Sequence, residues 1–345
     1  MQEGVLSPRK RQVLRAVVTD YIDSGEPVGS RTIARKYNLG SPATVRNEMA
    51  DLEESGYLEQ PHASAGRVPS DLGYRTYVDQ LMDPPAVTSE EAARVHQAMA
   101  GRARELAALV RQSTRILAYL TNYTALALLP TPEQRVCRQV QAVSVDLHHV
   151  LLLLVSEPGI VDSRLVFLEQ AILPDELEKI SVAVSSRLRG VKAGQISYTL
   201  CRELAGLVPS GELYEALMDL LNPTDGGNGG AAVVEGATHL LRNFTDRQQA
   251  LDLMGLLDAQ NRVQSLLEGA LTGSGVRVQI GQENPLSWLR RCSVVLATYF
   301  TGQQAVGTIG VLGPTRLDYH RSMALVGLVA DTISEMLSHW NRTSF

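Results

Sequence analysis

Small, polar and basic side chains gather at the start of a predicted helix near residue 42. With about 100° of turn per residue, Val45, Met49 and Leu52 share the inner face of this helix. The side chains on the outer face and its flanks are Ala43, Thr44, Arg46 and Asn47. Asn can pair with adenine, Arg with guanine or a phosphate, and a small apolar side chain can contact a thymine methyl. This set indicates a helix that binds the major groove of DNA.

Hydroxyl and basic side chains also occupy the starts of two predicted helices. Ser30 and Arg31 open one helix, and Ser41 precedes the next. Free backbone N–H groups and hydroxyls at helix starts can hold phosphates, so we expect all three residues at a DNA backbone. Plain helix capping is the alternative for the two serines, and both roles can hold together.

Arg67 follows the small-residue turn Ser64-Ala65-Gly66 between two extended segments. A hairpin of this kind beside a DNA-binding helix would carry Arg67 towards the adjacent minor groove or backbone. An exposed arginine on an ordinary loop explains the same residue equally well.

Three short helices and a hairpin must position these side chains. The pair Ser7-Pro8 and the later Gly25 bound a first helix, and Ser30 is expected to cap a second one that ends at Tyr37. A third helix runs from Ser41-Pro42 to about Ser55, and residues 57–69 are extended, with a turn near 63–66. The pattern is typical of a helix-turn-helix followed by a hairpin.

Charge is unevenly distributed along the chain. Of 32 basic and 37 acidic side chains, residues 1–47 hold eight and four, a local charge of +4. The other 298 residues carry −9, although the net charge of −5 would alone argue against nucleic acid. A basic first segment on an acidic remainder fits a DNA-binding unit.

Several classes of protein are excluded or disfavoured. There is no HExxH, GxSxG or GxxxxGK[ST] motif, so we expect no enzyme, no metal site and no cofactor. Three scattered cysteines fit a reducing cytoplasm and exclude a disulfide scaffold. The longest apolar run, Val150 to Val155, is too short for a membrane span, and no apolar signal core marks the chain for export.

The remaining pattern predicts an α+β protein. Pro84-Pro85 indicates a domain boundary, and residues 88–122 indicate one long helix. Strand-like runs lie on both sides of a mainly helical block at 195–270, which includes a glycine-rich loop at 223–230. The two prolines predict that the first segment is held semi-independently of the rest.

Three segments are specific enough to indicate a family. The chain resembles the HrcA family of bacterial heat-inducible transcription repressors. The segments that carry the resemblance are EPVGSRTIA, SPATVRNEMADLE and SAGRVPSDLGYRTYVD, with AVGTIGVLGPTRLDYHRSMALV near the end. The resemblance covers nearly the whole chain and is weaker across 190–270. It implies a winged-helix DNA-binding domain at 1–83, a linker and long helix at 84–122, and a GAF-like domain at 123–189 and 271–345. The insertion at 190–270 would be a helical dimerisation domain.

The resemblance also implies a function. Family members bind, as homodimers, the inverted-repeat operator CIRCE ahead of the groE and often dnaK operons. The GroEL chaperonin keeps them active, so heat relieves repression. An inverted repeat requires a two-fold dimer with one reading helix per half-site, which agrees with the residues above. The alternative is a regulator whose GAF-like domain senses a small molecule, a hypothesis that rests on fold analogy.

Overall fold

The structure is a computed structural model of the 345-residue chain. It describes residues 6–99, 106–130, 135–157, 160–192, 196–221, 232–269, 273 and 275–343. Helices and antiparallel sheets both contribute, so the fold class is α+β as predicted. The glycine-rich loop predicted at 223–230 lies outside the described residues.

The first segment, called the head (residues 6–83), contains the predicted three helices and hairpin. Its elements are α1 (Pro8–Ser24), α2 (Ser30–Lys36), α3 (Pro42–Glu54), β1 (Leu58–Glu59), β2 (Val68–Pro69) and α4 (Asp71–Thr76), which a π-helical turn (Tyr77–Leu81) extends. Ser7 caps α1 by accepting a hydrogen bond from the Lys10 amide at 3.3 Å, and Gly25 ends it with φ of 70°. The predicted boundaries of α1 and α3 are thus confirmed.

The predicted cap of α2 is wrong. Gly29 is the N-cap residue, Ser30 is already the first helical residue, and its hydroxyl makes no capping bond. The extended backbone at Val28 pairs with Arg67 and ends just before Gly29, so the helix begins at Ser30, one residue earlier than a Ser30 cap would allow.

The rest of the chain alternates between helices and strands. Its elements are α5 (Ser89–Met99), α6 (Leu106–Thr121), β3 (Thr124–Leu128), β4 (Val136–Ser144), β5 (His149–Glu157), β6 (Ile160–Phe167), α7 (Pro174–Leu188), α8 (Tyr198–Leu207), α9 (Gly211–Leu221), β7 (Ala232–Glu235), α10 (His239–Asn243), α11 (Arg247–Leu257), α12 (Gln260–Glu268), β8 (Val276–Ile280), β9 (Cys292–Thr301), β10 (Gln304–Pro314) and α13 (Tyr319–Thr343). The predicted long helix at 88–122 corresponds to α5 and α6, and the residues between them are not described.

A five-stranded sheet in the order β7-β3-β10-β9-β8 forms the centre of what we call the body (106–130 and 232–343). Successive residues of β3 point to opposite faces, so Ala125 joins the core under α6 and α13 while Leu126 joins the core under α10–α12. Both faces are therefore buried, which explains the nearly continuous apolar runs of β9 and β10.

A second, three-stranded antiparallel sheet in the order β4-β5-β6 packs on α7, α8 and α9 around its own core. We call this unit the lobe (residues 135–221). The grouping differs from the predicted division, which placed 123–189 with the GAF-like domain and 190–270 in a helical insertion. A strand pattern identifies a strand but not its partners, so the sequence did not predict that β4–β6 form a sheet of their own, and β7 was missed within the block predicted to be mainly helical.

The head packs firmly against the body, which contradicts the predicted semi-independent hinge. Tyr74 of α4 is 1% exposed, and its ring lies 5.7 Å from the ring of Tyr319 at the start of α13. One continuous hydrophobic cluster includes Leu14 of α1 and Val326 of α13. Pro84-Pro85 ends the helical run, but buried contacts on either side fix the head in place.

No helix within the described ranges is long and apolar enough to span a membrane.

Candidate nucleic-acid interface

Helix α3 turns its apolar side to the head core and its polar side to solvent. Val45 and Leu52 are completely buried and Met49 is 3% exposed, as the helical wheel predicted. The four candidate base-contacting residues are all exposed, and they are Ala43, Thr44, Arg46 and Asn47. They lie in the first two turns of α3, on a surface that the body does not cover.

The start of α3 is set by Ser41. Its hydroxyl accepts a hydrogen bond from the Thr44 amide at 3.1 Å and lies 2.9 Å from the Thr44 hydroxyl. The preceding turn is sharp, because Asn38 and Gly40 both have positive φ, 52° and 78°. Capping therefore occupies Ser41 in the free protein, while its exposed position leaves it open to a phosphate.

The start of α2 carries the other candidate phosphate contacts. Ser30 is half-buried, Arg31 is exposed, and both belong to the first turn of this short helix. Arg35, one turn further along the same face, is also exposed and was not among the predicted site residues. The i, i+4 spacing of the two arginines is the sequence signal that would have identified it.

Arg67 does not extend freely from the hairpin. Its side chain is 18% exposed and forms an ion pair with Glu53 of α3 at 2.7 Å. Its backbone N–H and C=O each bond to Val28 at 2.9 Å, which holds the hairpin against the segment before α2. A Cβ on the neighbouring Gly66 would come within 2.4 Å of the Val28 oxygen, so the approach requires glycine. The structure gives Arg67 a bracing position rather than the exposed one predicted.

Ion pairs neutralise part of the basic charge of the head. Lys10 pairs with Asp51 at 3.0 Å and Lys36 with Asp20 at 2.5 Å, and these hydrogen bonds raise the pKa of each ammonium. Among the described residues of the head, the exposed arginines without an ion pair are Arg31, Arg35 and Arg46. The available positive charge therefore lies on α2 and α3, on the side of the candidate interface.

No group of three or more His, Cys, Asp or Glu side chains that could hold a metal ion occurs in the described part of the chain. The candidate interface consists of hydroxyl, amide, methyl and guanidinium groups, which bind by hydrogen bonds and charge.

Fold and site together define a class of protein: an α+β body that carries a small three-helix head with exposed arginines and an asparagine. The model of the family described as "HrcA protein C terminal domain" matches residues 107–323. A heat-inducible transcription repressor HrcA of Symbiobacterium thermophilum is 39% identical over 337 residues, covering 96% of this chain and 99% of that protein. That of Carboxydothermus hydrogenoformans is 37% identical, covering 98% and 100%.

The chain belongs to the HrcA family. A solved structure described as a hypothetical protein at 2.2 Å shares the fold, with a TM-score of 0.67 and 23% identity over 97% of this chain and 99% of that one. The curated relatives are named as transcription repressors, which are not enzymes.

Proposed function

We propose that this chain is a dimeric repressor of the groE and dnaK heat-shock operons. It binds the CIRCE inverted repeat through a winged helix-turn-helix, in which α2 and α3 form the helix-turn-helix and the β1–β2 hairpin is the wing. The observation that carries the proposal is the exposure of Ala43, Thr44, Arg46 and Asn47 in the first turns of α3. Such a repressor works in the cytoplasm, where the operons are.

Each side chain has a chemical role in this proposal. Asn47 pairs with an adenine edge, Arg46 bonds guanine or a phosphate, and Ala43 admits a thymine methyl. Thr44 on the flank, with Ser30, Arg31 and Ser41 at the helix starts, bonds phosphates. Arg67 stays with Glu53 and braces the wing, since its ion pair and low exposure favour support over direct DNA contact.

Replacing Arg46 or Asn47 with Ala tests the reading helix. A lost base contact costs about 1–3 kcal/mol, so we expect affinity for an operator duplex to fall about 5- to 150-fold at fixed salt. The matched control is Arg202→Ala, which removes an exposed arginine of α8 in the lobe. Melting temperature and oligomeric state should stay unchanged in all three variants. Wild-type affinity in both head variants would rule out the assigned roles.

A second copy of the chain is the partner that an inverted repeat demands. The helices α8 and α9 of the predicted dimerisation block turn apolar side chains into the lobe core. Tyr198 of α8 is exposed, but a contiguous set of exposed apolar side chains lies on the outer face of the β4-β5-β6 sheet, where Val143, Leu165 and Phe167 are 40%, 59% and 58% exposed. We therefore assign dimerisation to this sheet face, because monomers rarely expose contiguous apolar patches of this kind.

The chaperonin dependence follows from mass action. A factor that favours the active repressor raises its population when available and lowers it when misfolded proteins occupy that factor. DNase protection of the operator, measured with and without GroEL, tests this dependence. Equal protection in both conditions, at repressor concentrations near half-saturation, would contradict it.

A small-molecule effector is the weaker candidate. Both faces of the five-stranded sheet are covered by closely packed side chains such as Leu126 and Val311, which are completely buried. A groove of about 820 Å³ lies elsewhere, between β4 and α7 of the lobe. This packing disfavours a ligand bound against the GAF-like sheet.

A further inference from the structure

The head meets the body at an exposed sheet edge through paired polar contacts. β8 is the last strand of the five-stranded sheet, and no strand among the described residues pairs with its outer edge. Arg75 of α4 donates to the Val278 carbonyl of this edge at 2.7 Å and to the Glu283 carboxylate through two nitrogens, one of them at 2.8 Å. A bidentate guanidinium–carboxylate pair fixes direction as well as distance.

A second contact lies one turn before Arg75. The Asp71 carboxylate accepts a hydrogen bond from the Gln282 amide at 2.9 Å. Gly281 has φ of 50°, and a Cβ there would lie 2.1 Å from an Asp71 oxygen. Both the backbone conformation and the close approach require glycine at this point. We call the contacts of Asp71 and Arg75 with residues 278–283 the clamp.

The clamp is connected to the reading helix through short, direct bonds. The Ser70 hydroxyl, which caps α4, donates to the Gly56 carbonyl at 2.6 Å, and the Ser70 amide donates to the Tyr57 carbonyl at 3.1 Å. Gly56 and Tyr57 directly follow α3, and a Cβ on Gly73 would lie 2.1 Å from the Tyr57 oxygen. A displacement of α4 must therefore displace the end of α3.

The clamp leaves the DNA-facing surface open. It holds α4 and the buried Tyr74, while Ala43, Arg46 and Asn47 on α3 stay exposed with the head docked. The docked head is thus compatible with DNA binding, and its contacts orient the reading helix rather than cover it.

We propose that Asp71 and Arg75, held by residues 278–283, fix α3 relative to the body and so set the spacing between the two reading helices of the dimer. The inference rests on the proposed function, since it assumes a dimer on an inverted repeat. Major-groove half-sites recur about 34–36 Å apart or at multiples of that distance. When the heads are fixed, both reading helices of a dimer can bind at once only to an operator of matching spacing, and that operator is bound with high avidity. Loosely held heads can reach half-sites at many spacings, so the dimer prefers the matching spacing less strongly.

The test compares three duplexes: one half-site, the inverted repeat, and the same repeat with its spacer lengthened by about five base pairs, half a helical turn. The variants are Glu283→Gln, which removes the charge that binds Arg75, and Asp71→Ala, which removes the acceptor for Gln282. The matched control is Glu90→Gln, since Glu90 pairs with Arg94 on the solvent-facing side of α5 and the two side chains are 75% and 61% exposed.

We expect half-site affinity within about twofold of wild type for every variant. Wild type and Glu90→Gln should prefer the natural spacing by about tenfold or more, and this ratio should fall at least about threefold in both clamp variants. An unchanged ratio in folded clamp variants would overturn the clamp alone. Failure of wild type to bind either the half-site or the repeat would overturn the proposed function and the clamp with it.

Discussion

The Glu283 carboxyl in the clamp is held in its charged form by its neighbours. Partial burial raises its pKa, but the hydrogen bonds from Arg75 and from the Ile280 amide, with the charge of Arg75, outweigh burial and hold the pKa below the usual range. A depressed carboxyl pKa stabilises the folded chain above the unfolded value of about 4.3, and the contribution is lost as pH falls through the folded pKa.

Stability should therefore depend on Glu283 only at higher pH. For a partly exposed pair we expect Glu283→Gln to lower the melting temperature by about 1–3 °C at pH 7. The difference from wild type should begin to shrink as the pH falls below the unfolded value of about 4.3, and it should disappear only below the lowered folded pKa, where the wild-type carboxyl is also neutral. Melting curves of both proteins from pH 2 to pH 8 measure this, and a difference that does not decrease as the pH falls below about 4.3 would contradict the assigned cause.

The three cysteines should differ in reactivity. Burial raises the pKa of the Cys137 thiol to about 11 and that of Cys292 to about 12, while Cys201 is partly exposed on α8. Since the thiolate is the reactive form, a thiol–disulfide reagent near pH 8 should modify about one thiol quickly in the native protein and three after unfolding. The fast reaction should be absent in Cys201→Ser. Its persistence there would show that a buried thiol becomes accessible.

The three-stranded sheet of the lobe is protected along one edge and apolar on one face. Two serine hydroxyls of α7 accept hydrogen bonds from the outer edge of β4. The Val140 amide donates to Ser185 and the Ala142 amide to Ser181, each at 2.9 Å. These bonds occupy an edge that could otherwise pair with other chains. No described element covers the outer face, where Val143, Leu151 and Leu165 lie opposite one another across the three strands.

A charge on this face should prevent association. Leu165 is 59% exposed, so Leu165→Lys costs little in the monomer but places an unpaired ammonium in an apolar dimer interface. We expect the variant to be monomeric by sedimentation at concentrations where wild type is dimeric. Leu251→Lys on α11, where the leucine is 46% exposed, is the matched control and should remain dimeric. A dimeric Leu165→Lys protein would place the interface elsewhere.

At the scale of the whole molecule, the cores divide the chain differently from the sequence segments. One hydrophobic cluster joins the head to the body, whereas the lobe has a separate cluster that includes Leu152 and Leu217. Units that share a core unfold together, and units with separate cores can unfold separately.

Calorimetry should accordingly show two thermal transitions. Leu152→Ala in the lobe and Leu14→Ala in the head each remove a buried side chain, at a cost of about 2–5 kcal/mol. Each should lower a different transition by several degrees. Because the head shares its core with the body, Leu14→Ala should not produce a third transition. A single transition that shifts in both variants would contradict the division into two units.

The distribution of charge along the chain agrees with the position of the candidate interface. Residues 1–47 carry +4, so we expect the part of the head around α1, α2 and the start of α3 to attract DNA, although the acidic side chains of residues 48–83 bring residues 6–83 as a whole to −1. The ion pairs Lys10–Asp51 and Lys36–Asp20 then leave the available arginines on α2 and α3. The sequence charge located the basic segment at 1–47, and folding decided which of its basic side chains stay free of ion pairs.

The sequence by itself determined the local features of the head. Ser7, Gly25 and Ser41 act on their own helices within a few residues, so the ends of α1 and α3 were predictable. The apolar spacing of Val45, Met49 and Leu52 likewise fixed which side of α3 faces solvent. The family followed from motifs in these same short segments.

Only the tertiary structure decided the contacts between distant residues. The pairing of β7 with β3, the ion pair of Arg67 with Glu53, and the clamp of Arg75 on Glu283 join residues far apart in the chain. The sequence pattern shows that a segment is a strand, or that an arginine lies beside a turn. It does not show which strand or which carboxylate is the partner, because many pairings satisfy the same pattern. Packing of the complete chain selects one pairing, and it thereby placed the lobe apart from the body and docked the head on the sheet edge.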